Sequence, residues 1–311
     1  MKKKIKKINF NHSFIFFLFC NICSLIIFKF SNFTISSLSC LILILVIGVS
    51  HGSLDHIKGK KLLKIFEKDN IIWFYSIYIL IAIIVIIFWI LIPSVSLIIF
   101  LIVASFHFGK EDTQFLINVN SYINQFLFFL KGLLIILLPL YFHFEETISI
   151  FKLLLIENEK FYFSLNFIES NKILQSGIIL STLSSIFLFL KNFELKKLTI
   201  FFDYFSIIMI NYFFSPLLAF TIYFCFLHSI RHSISLMFEL DRNNLNNGLK
   251  VFVKKAIPLT LLTCILCVVA FYFLNNNYSF DSSILKLIFI GLASLTFPHI
   301  LLEYFLEKNE N

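Results

Sequence analysis

The stretch "IIWFYSIYILIAIIVIIFWILI", residues 71–92, runs without a single charged side chain. It exceeds the roughly 20 apolar residues that a helix needs to cross a bilayer. A soluble domain has no place for such a segment on every side of a helix, so part of its surface must face lipid. The whole chain shares this character: 59% of its 311 residues are hydrophobic and only 14% are charged. The alternating pattern of an outer-membrane barrel is absent.

Working outward from 71–92, further apolar runs lie near 14–30, 37–51, 95–109, 124–142, 173–190, 198–214, 216–237, 256–274 and 284–304. The expected fold is therefore an all-α polytopic bundle of about ten transmembrane helices (eight to ten), forming one integral-membrane domain over residues 1–311. Basic residues fall between the runs, and their placement sets an orientation. With the N-terminus inside, twenty Lys and Arg residues lie on that side. Only Lys29, Lys152, Lys160, Lys172 and Lys286 lie opposite. Both termini are expected in the cytoplasm and the protein in the cell (inner) membrane. Lys131 falls inside the fifth run, so either it snorkels or that helix begins later. Segment 143–172 is the longest outer stretch and is expected to carry an interfacial helix at 147–156.

The net charge of +8 is a topology signal rather than a nucleic-acid footprint. The pairs Cys20/Cys23 and Cys264/Cys267 sit inside apolar runs and read as inert thiols. "MKKKIKK" before an apolar stretch mimics a secretory signal. No small-residue cleavage site follows, so an uncleaved first helix is expected.

The eight histidines carry the chemistry. His51 ends the second run and His107 the fourth. His228 and His232 lie in the inner half of the eighth, and His299 near the inner end of the tenth. The lysine-derived topology therefore puts five imidazoles at one depth. "HSIRH" places His228 and His232 at i, i+4, close enough on one helix face to bind one metal. Asp55 follows His51 by one turn, and Glu111 and Asp112 follow His107; each could accept the second ring N–H of a metal-bound imidazole. Gly52 and Gly109 suit helix ends or close backbone approach. Pro298 would kink the last helix beside His299. Ionisable groups inside a membrane mark function, and a mostly imidazole site suits Fe(II), Cu or Zn rather than Mg or Ca. His12, His56 and His143 read as flanking or loop residues.

Several function classes fit poorly. The HExxH of membrane metalloproteases is absent. A membrane di-iron hydroxylase or desaturase acting on a lipid would carry more clustered histidine boxes. A transporter would place its polar residues at mid-bilayer, whereas here they crowd one end.

The ordered motifs "GVSHGSLDH" (48–56), "SFHFGKED" (105–112), "FLHSIRH" (226–232) and "FPHIL" (297–301) resemble the Brp/Blh family of bacterial and archaeal β-carotene 15,15′-dioxygenases. The resemblance runs from about residue 40 to 304. Ser53 stands where the family usually has a small residue such as Ala. The resemblance implies an iron(II) enzyme that uses O₂ to cleave the central double bond of β-carotene into two all-trans-retinal molecules. It further implies delivery of retinal to a microbial rhodopsin. By motif, the iron ligands would be His51, His107, His228 and His232, with no catalytic residue beyond them. His299, Asp55, Glu111 and Asp112 are the further ligand or supporting candidates.

Overall fold

The computed structural model describes residues 2–29, 35–68, 70–117 and 121–310, and among them there is no strand. In chain order the helices are α1 (Lys2–Lys29), α2 (Ser37–Leu43), α3 (Asp55–Ile65), α4 (Ile72–Leu91), α5 (Pro93–Glu111), α6 (Tyr122–Phe142), α7 (Phe144–Leu153) and α8 (Glu159–Ser170). There follow α9 (Ile173–Leu190), α10 (Leu198–Phe213), α11 (Pro216–Ile222), α12 (Ile230–Leu240), α13 (Leu245–Asn275) and α14 (Phe280–Glu310). Two spans are continuous but irregular. Between α2 and α3 the chain widens into a π turn, Ile44–Gly48, and then tightens into a 3₁₀ stretch, Val49–Leu54. Between α11 and α12 it forms a π segment, Tyr223–Ser229. Interruptions of this kind often mark functional sites.

Among the described residues, nine helical stretches are long and apolar enough to cross a membrane. The one expected run missing from them is 198–214. It folds as α10, but its 16 residues reach about 24 Å, short of a hydrocarbon core of about 30 Å. The helix lies against α1 and buries Thr199, Asp203, Ser206 and Asn211. Lys131 resolves differently from either sequence expectation: α6 begins earlier, at Tyr122, and the lysine is buried in its middle. The outer helix appears as α7, three residues earlier than expected.

The spans divide by what covers them. In Pro216–Leu240, 67% of the apolar window is buried, whereas in α4 the share is 6% and in α13 it is 0%. The histidine-bearing span is therefore central, and α4 and α13 lie at the periphery. Because lipid is as apolar as leucine, close contact must come from small side chains and polar bonds. Gly109 of α5 and Gly132 of α6 supply the closest approach. A β-carbon on Gly109 would overlap the Phe128 carbonyl, and one on Gly132 would overlap the Ser105 carbonyl. This contact fixes α5 two residues beyond His107.

Candidate metal centre

His107, His228, His232 and His299 are all buried. They come from α5, the π segment, α12 and α14, as the shared-depth reading requires. The His107 ring centroid lies 5.2 Å from that of His228 and 5.4 Å from that of His299, and His232 and His299 are 5.7 Å apart. His51 belongs to the 3₁₀ stretch Val49–Leu54, and its side chain lies outside the described residues.

Each ring–carboxylate pair crosses between elements. His299 Nδ1 lies 2.9 Å from both oxygens of Asp55, and His232 Nδ1 lies 2.9 Å from Glu111 Oε2. His228 Nδ1 is 3.4 Å from Asp112 Oδ1. The sequence reading paired Asp55 with His51, and Glu111 and Asp112 with His107. The fold gives Asp55 to His299, Glu111 to His232 and Asp112 to His228; the expected pairing of His51 with Asp55 lies outside the described residues. The cause is helix geometry: a carboxylate four residues on points to the adjacent helix when the bundle closes over that face. With a carboxylate accepting at Nδ1, the ring N–H stays there and donates, and the Nε2 lone pair is left to face the cluster.

The residue that sequence reasoning missed is Glu303. Its Oε1 lies 3.7 Å from His299 Nε2 and 3.8 Å from His232 Nε2, and its Oε2 lies 3.9 Å from His107 Nδ1. These separations are too long for hydrogen bonds and leave room for a cation between the groups. Ligand atoms of His107, His299 and Glu303 all fall within 4.8 Å of one another, as do those of Glu111, His232 and Glu303. His228 packs on His107 but joins neither group. Among the described residues the grouped donors are therefore mixed, imidazoles together with carboxylates. The signal was present: Glu303 follows His299 at i, i+4, the same spacing that singled out "HSIRH".

Two imidazoles and one carboxylate are the donor set of non-haem Fe(II) sites that keep open positions. The residues present therefore fit an iron ion. Lys58 donates to Glu303 Oε1 at 2.7 Å and partly balances its charge.

Behind the rings a second network holds the scaffold. Arg231 donates to both oxygens of Asp203, at 2.8 and 2.9 Å, and to Ser13 of α1 at 2.6 Å. Tyr223 donates to Asp112 Oδ2 at 2.7 Å. Burial alone would raise the Asp112 carboxyl, but its bond with His228 and the Arg231 charge hold it well below the usual carboxylate range. The three set-aside histidines bond to backbone: His12 to Phe226 O at 2.8 Å, His56 to Ser53 O at 2.9 Å and His143 to Asn211 O at 2.9 Å. Among the cysteines there is no disulfide; all six are free thiols.

The cluster opens onto an apolar cavity of about 230 Å³. His107, His228 and His299 form one end. Phe74, Tyr78 and Ile79 of α4 and Leu259, Leu262 and Leu266 of α13 form its walls. Gly52 faces it with no heavy atom within 4 Å of where a β-carbon would stand.

Residues 42–307 match the family model described as beta-carotene 15,15′-dioxygenase. A curated protein from an uncultured marine bacterium 66A03, named beta-carotene 15,15′-dioxygenase, is 28% identical over 267 residues. The alignment covers 84% of this chain and 90% of that protein. No solved structure matches.

Proposed function

The chain belongs to the β-carotene 15,15′-dioxygenase family, and from that premise we propose that it cleaves β-carotene at its central double bond with O₂. Both oxygen atoms end in the two aldehydes, so two retinal molecules form and no external reductant is needed. The observation that carries this reading is the placement of a buried imidazole–carboxylate cluster against an apolar cavity inside a bundle of apolar helices.

Iron(II), held by His51, His107, His228 and His232 with His299 and Glu303 in reach, would supply the redox chemistry that lets O₂ react with an alkene. The chain's own residues do the rest. Leu259, Leu262, Leu266 and Phe74 bind a polyene already dissolved in lipid, so it need not pass through water. Asp55 and Glu111 keep the rings of His299 and His232 in one tautomer and orientation. Tyr78 donates to Asp55 Oδ2 at 2.9 Å and fixes that carboxylate in turn. The apolar walls exclude water from the reacting centre. Residence in the inner membrane and transfer of retinal to a microbial rhodopsin complete the proposal.

The deciding experiment is expression in cells that accumulate β-carotene, followed by extraction. Loss of carotene with stoichiometric retinal supports the reading. Unchanged carotene, or carotene hydroxylated without cleavage, refutes it.

A further inference from the structure

We propose that β-carotene enters the cavity sideways, through a portal framed by α4 and α13, and lies across it with part of its length outside the walls; this rests on the function proposed above and adds the route its substrate takes.

The portal is read from side chains that belong to two surfaces at once. Tyr75 and Ile79 of α4 and Leu262 and Leu266 of α13 line the cavity, yet they are between 36% and 59% exposed. Around an enclosed cavity the same side chains would be largely buried. On α13 the lining residues Leu259, Leu262, Thr263 and Leu266 recur at i, i+3, i+4 and i+7, so one helical stripe faces the space for two turns. The two walls do not close on each other. α4 packs on α14, α5 and α3, whereas α13 packs on the 3₁₀ stretch, α12 and α14. Among the described residues neither helix is a main packing partner of the other.

The frame is tied on both sides beside the cluster. On one side the Tyr78 hydroxyl lies 2.9 Å from Asp55 Oδ2 and 3.2 Å from Leu295 O, joining α4 to α3 and α14. The Phe74 ring rests so closely on Gly59 of α3 that a β-carbon there would come within 2.4 Å of it. On the other side the Ser53 and Thr260 hydroxyls stand 2.8 Å apart and join α13 to the 3₁₀ stretch. Gly52, next to Ser53, also lines the cavity, and the space where its β-carbon would stand is empty to 4 Å.

Size decides how the substrate lies. The cavity holds about 230 Å³, below the ~300–1,000 Å³ of sites that enclose a drug-sized ligand. β-Carotene, a long polyene with a ring at each end, is larger than such a ligand. These walls therefore take in part of it, and the remainder stays among acyl chains across the portal. Lipid is as apolar as the walls, so entry gains little from the hydrophobic effect and depends on the shape of the opening.

The test uses the full chain in lipid nanodiscs carrying β-carotene. Binding is followed in chelator-stripped protein by the induced circular dichroism of the polyene, and single-turnover cleavage is followed in iron-loaded protein. Ile79→Trp and Leu266→Trp narrow the portal from its two sides. Phe88→Trp and Val268→Trp are the controls, exposed positions on the same helices that do not line the cavity. In both portal variants the rates of binding and of cleavage at limiting carotene should fall at least tenfold, with metal content unchanged and both controls at wild-type rates. Wild-type rates in both portal variants overturn the portal and leave the cleavage reading standing. Equal losses in the controls, or loss of metal in both portal variants, overturn it as well. If only one portal variant loses its metal, the other decides. Wild-type protein that binds carotene with this dependence but does not cleave it overturns the function and leaves the portal standing. Neither binding nor cleavage overturns both.

Discussion

Asp55 and His299 come from opposite ends of the chain, yet the carboxylate presents both oxygens to the imidazole Nδ1 at 2.9 Å. Asp55→Asn keeps the shape and removes the charge that holds the ring proton. Metal affinity and retinal formation should each fall about 10–100-fold, the usual cost of losing such a partner. Titration with metal and steady-state turnover read the two effects separately. Tyr78→Phe removes only the bond behind Asp55 and should cost less than Asp55→Asn in the same assays.

Replacing any one of His51, His107, His228 or His232 by Ala should abolish metal binding or retinal formation while the protein still inserts. Metal content and membrane extraction are measured together. Full activity in any of the four variants removes that residue from the ligand set.

Arg231 and Asp203 form a bidentate pair with almost no exposure. Arg231→Met strands a buried carboxylate and should destabilise the protein by about 3–5 kcal/mol. Asp203→Asn should do comparable harm by stranding the guanidinium. The double replacement Arg231→Met with Asp203→Leu should recover part of the loss, because neither charge is then left alone. Thermal unfolding in detergent measures all three.

Gly109→Ala would drive a methyl group into the Phe128 carbonyl of α6, where backbone cannot yield as a side chain can. Overpacking of this kind costs about 1–3 kcal/mol. Because α5 also carries His107 and Glu111 and is capped by Asp112, the variant should lose metal affinity along with stability. Gly291→Ala, where no heavy atom stands within 4 Å of the added carbon, is the control and should be near neutral.

Thr263→Trp places a large ring on the α13 wall of the cavity, on a helix that carries none of the histidines. Cleavage of β-carotene should drop by at least tenfold while metal content stays at the wild-type level. Equal turnover would show that the polyene lies elsewhere.

The bundle was legible because lipid imposes a length on each crossing. Residues 71–92 read as one span and fold as α4, Ile72–Leu91. The histidines were legible for a related reason, since lysines set the direction of each helix and direction sets the depth of each ring. What the sequence did not carry was pairing between helices. Asp55 stands four residues from His51, yet it meets His299 from 244 residues away, because burial chooses partners across a closed face and not along the chain. Lys131 was misread for the same reason. A lysine in an apolar run was expected at an edge, but α6 buries it on the face turned toward α5 and α10. Glu303 was missed because its motif, "FPHIL", was read only as far as Leu301.

The ring-to-carboxylate hydrogen bonds described join different elements, α3 with α14 and α5 with α12, and the end of α5 faces the π segment at 3.4 Å. These elements cannot slide past one another without breaking charged bonds in a medium that offers no substitute. The long helix α13 carries none of those groups and its apolar window is left uncovered by the rest of the bundle, yet it forms a wall of the cavity. The bundle is therefore cross-braced by charged groups around the cluster, while the α13 wall is held by apolar packing and the 2.8 Å contact between the Ser53 and Thr260 hydroxyls. On the proposed function, a stiff hydrocarbon rod enters and two shorter aldehydes leave past the α13 wall. Its turnover should accordingly follow the fluidity of the surrounding bilayer, slowing in ordered membranes even while the metal cluster stays intact.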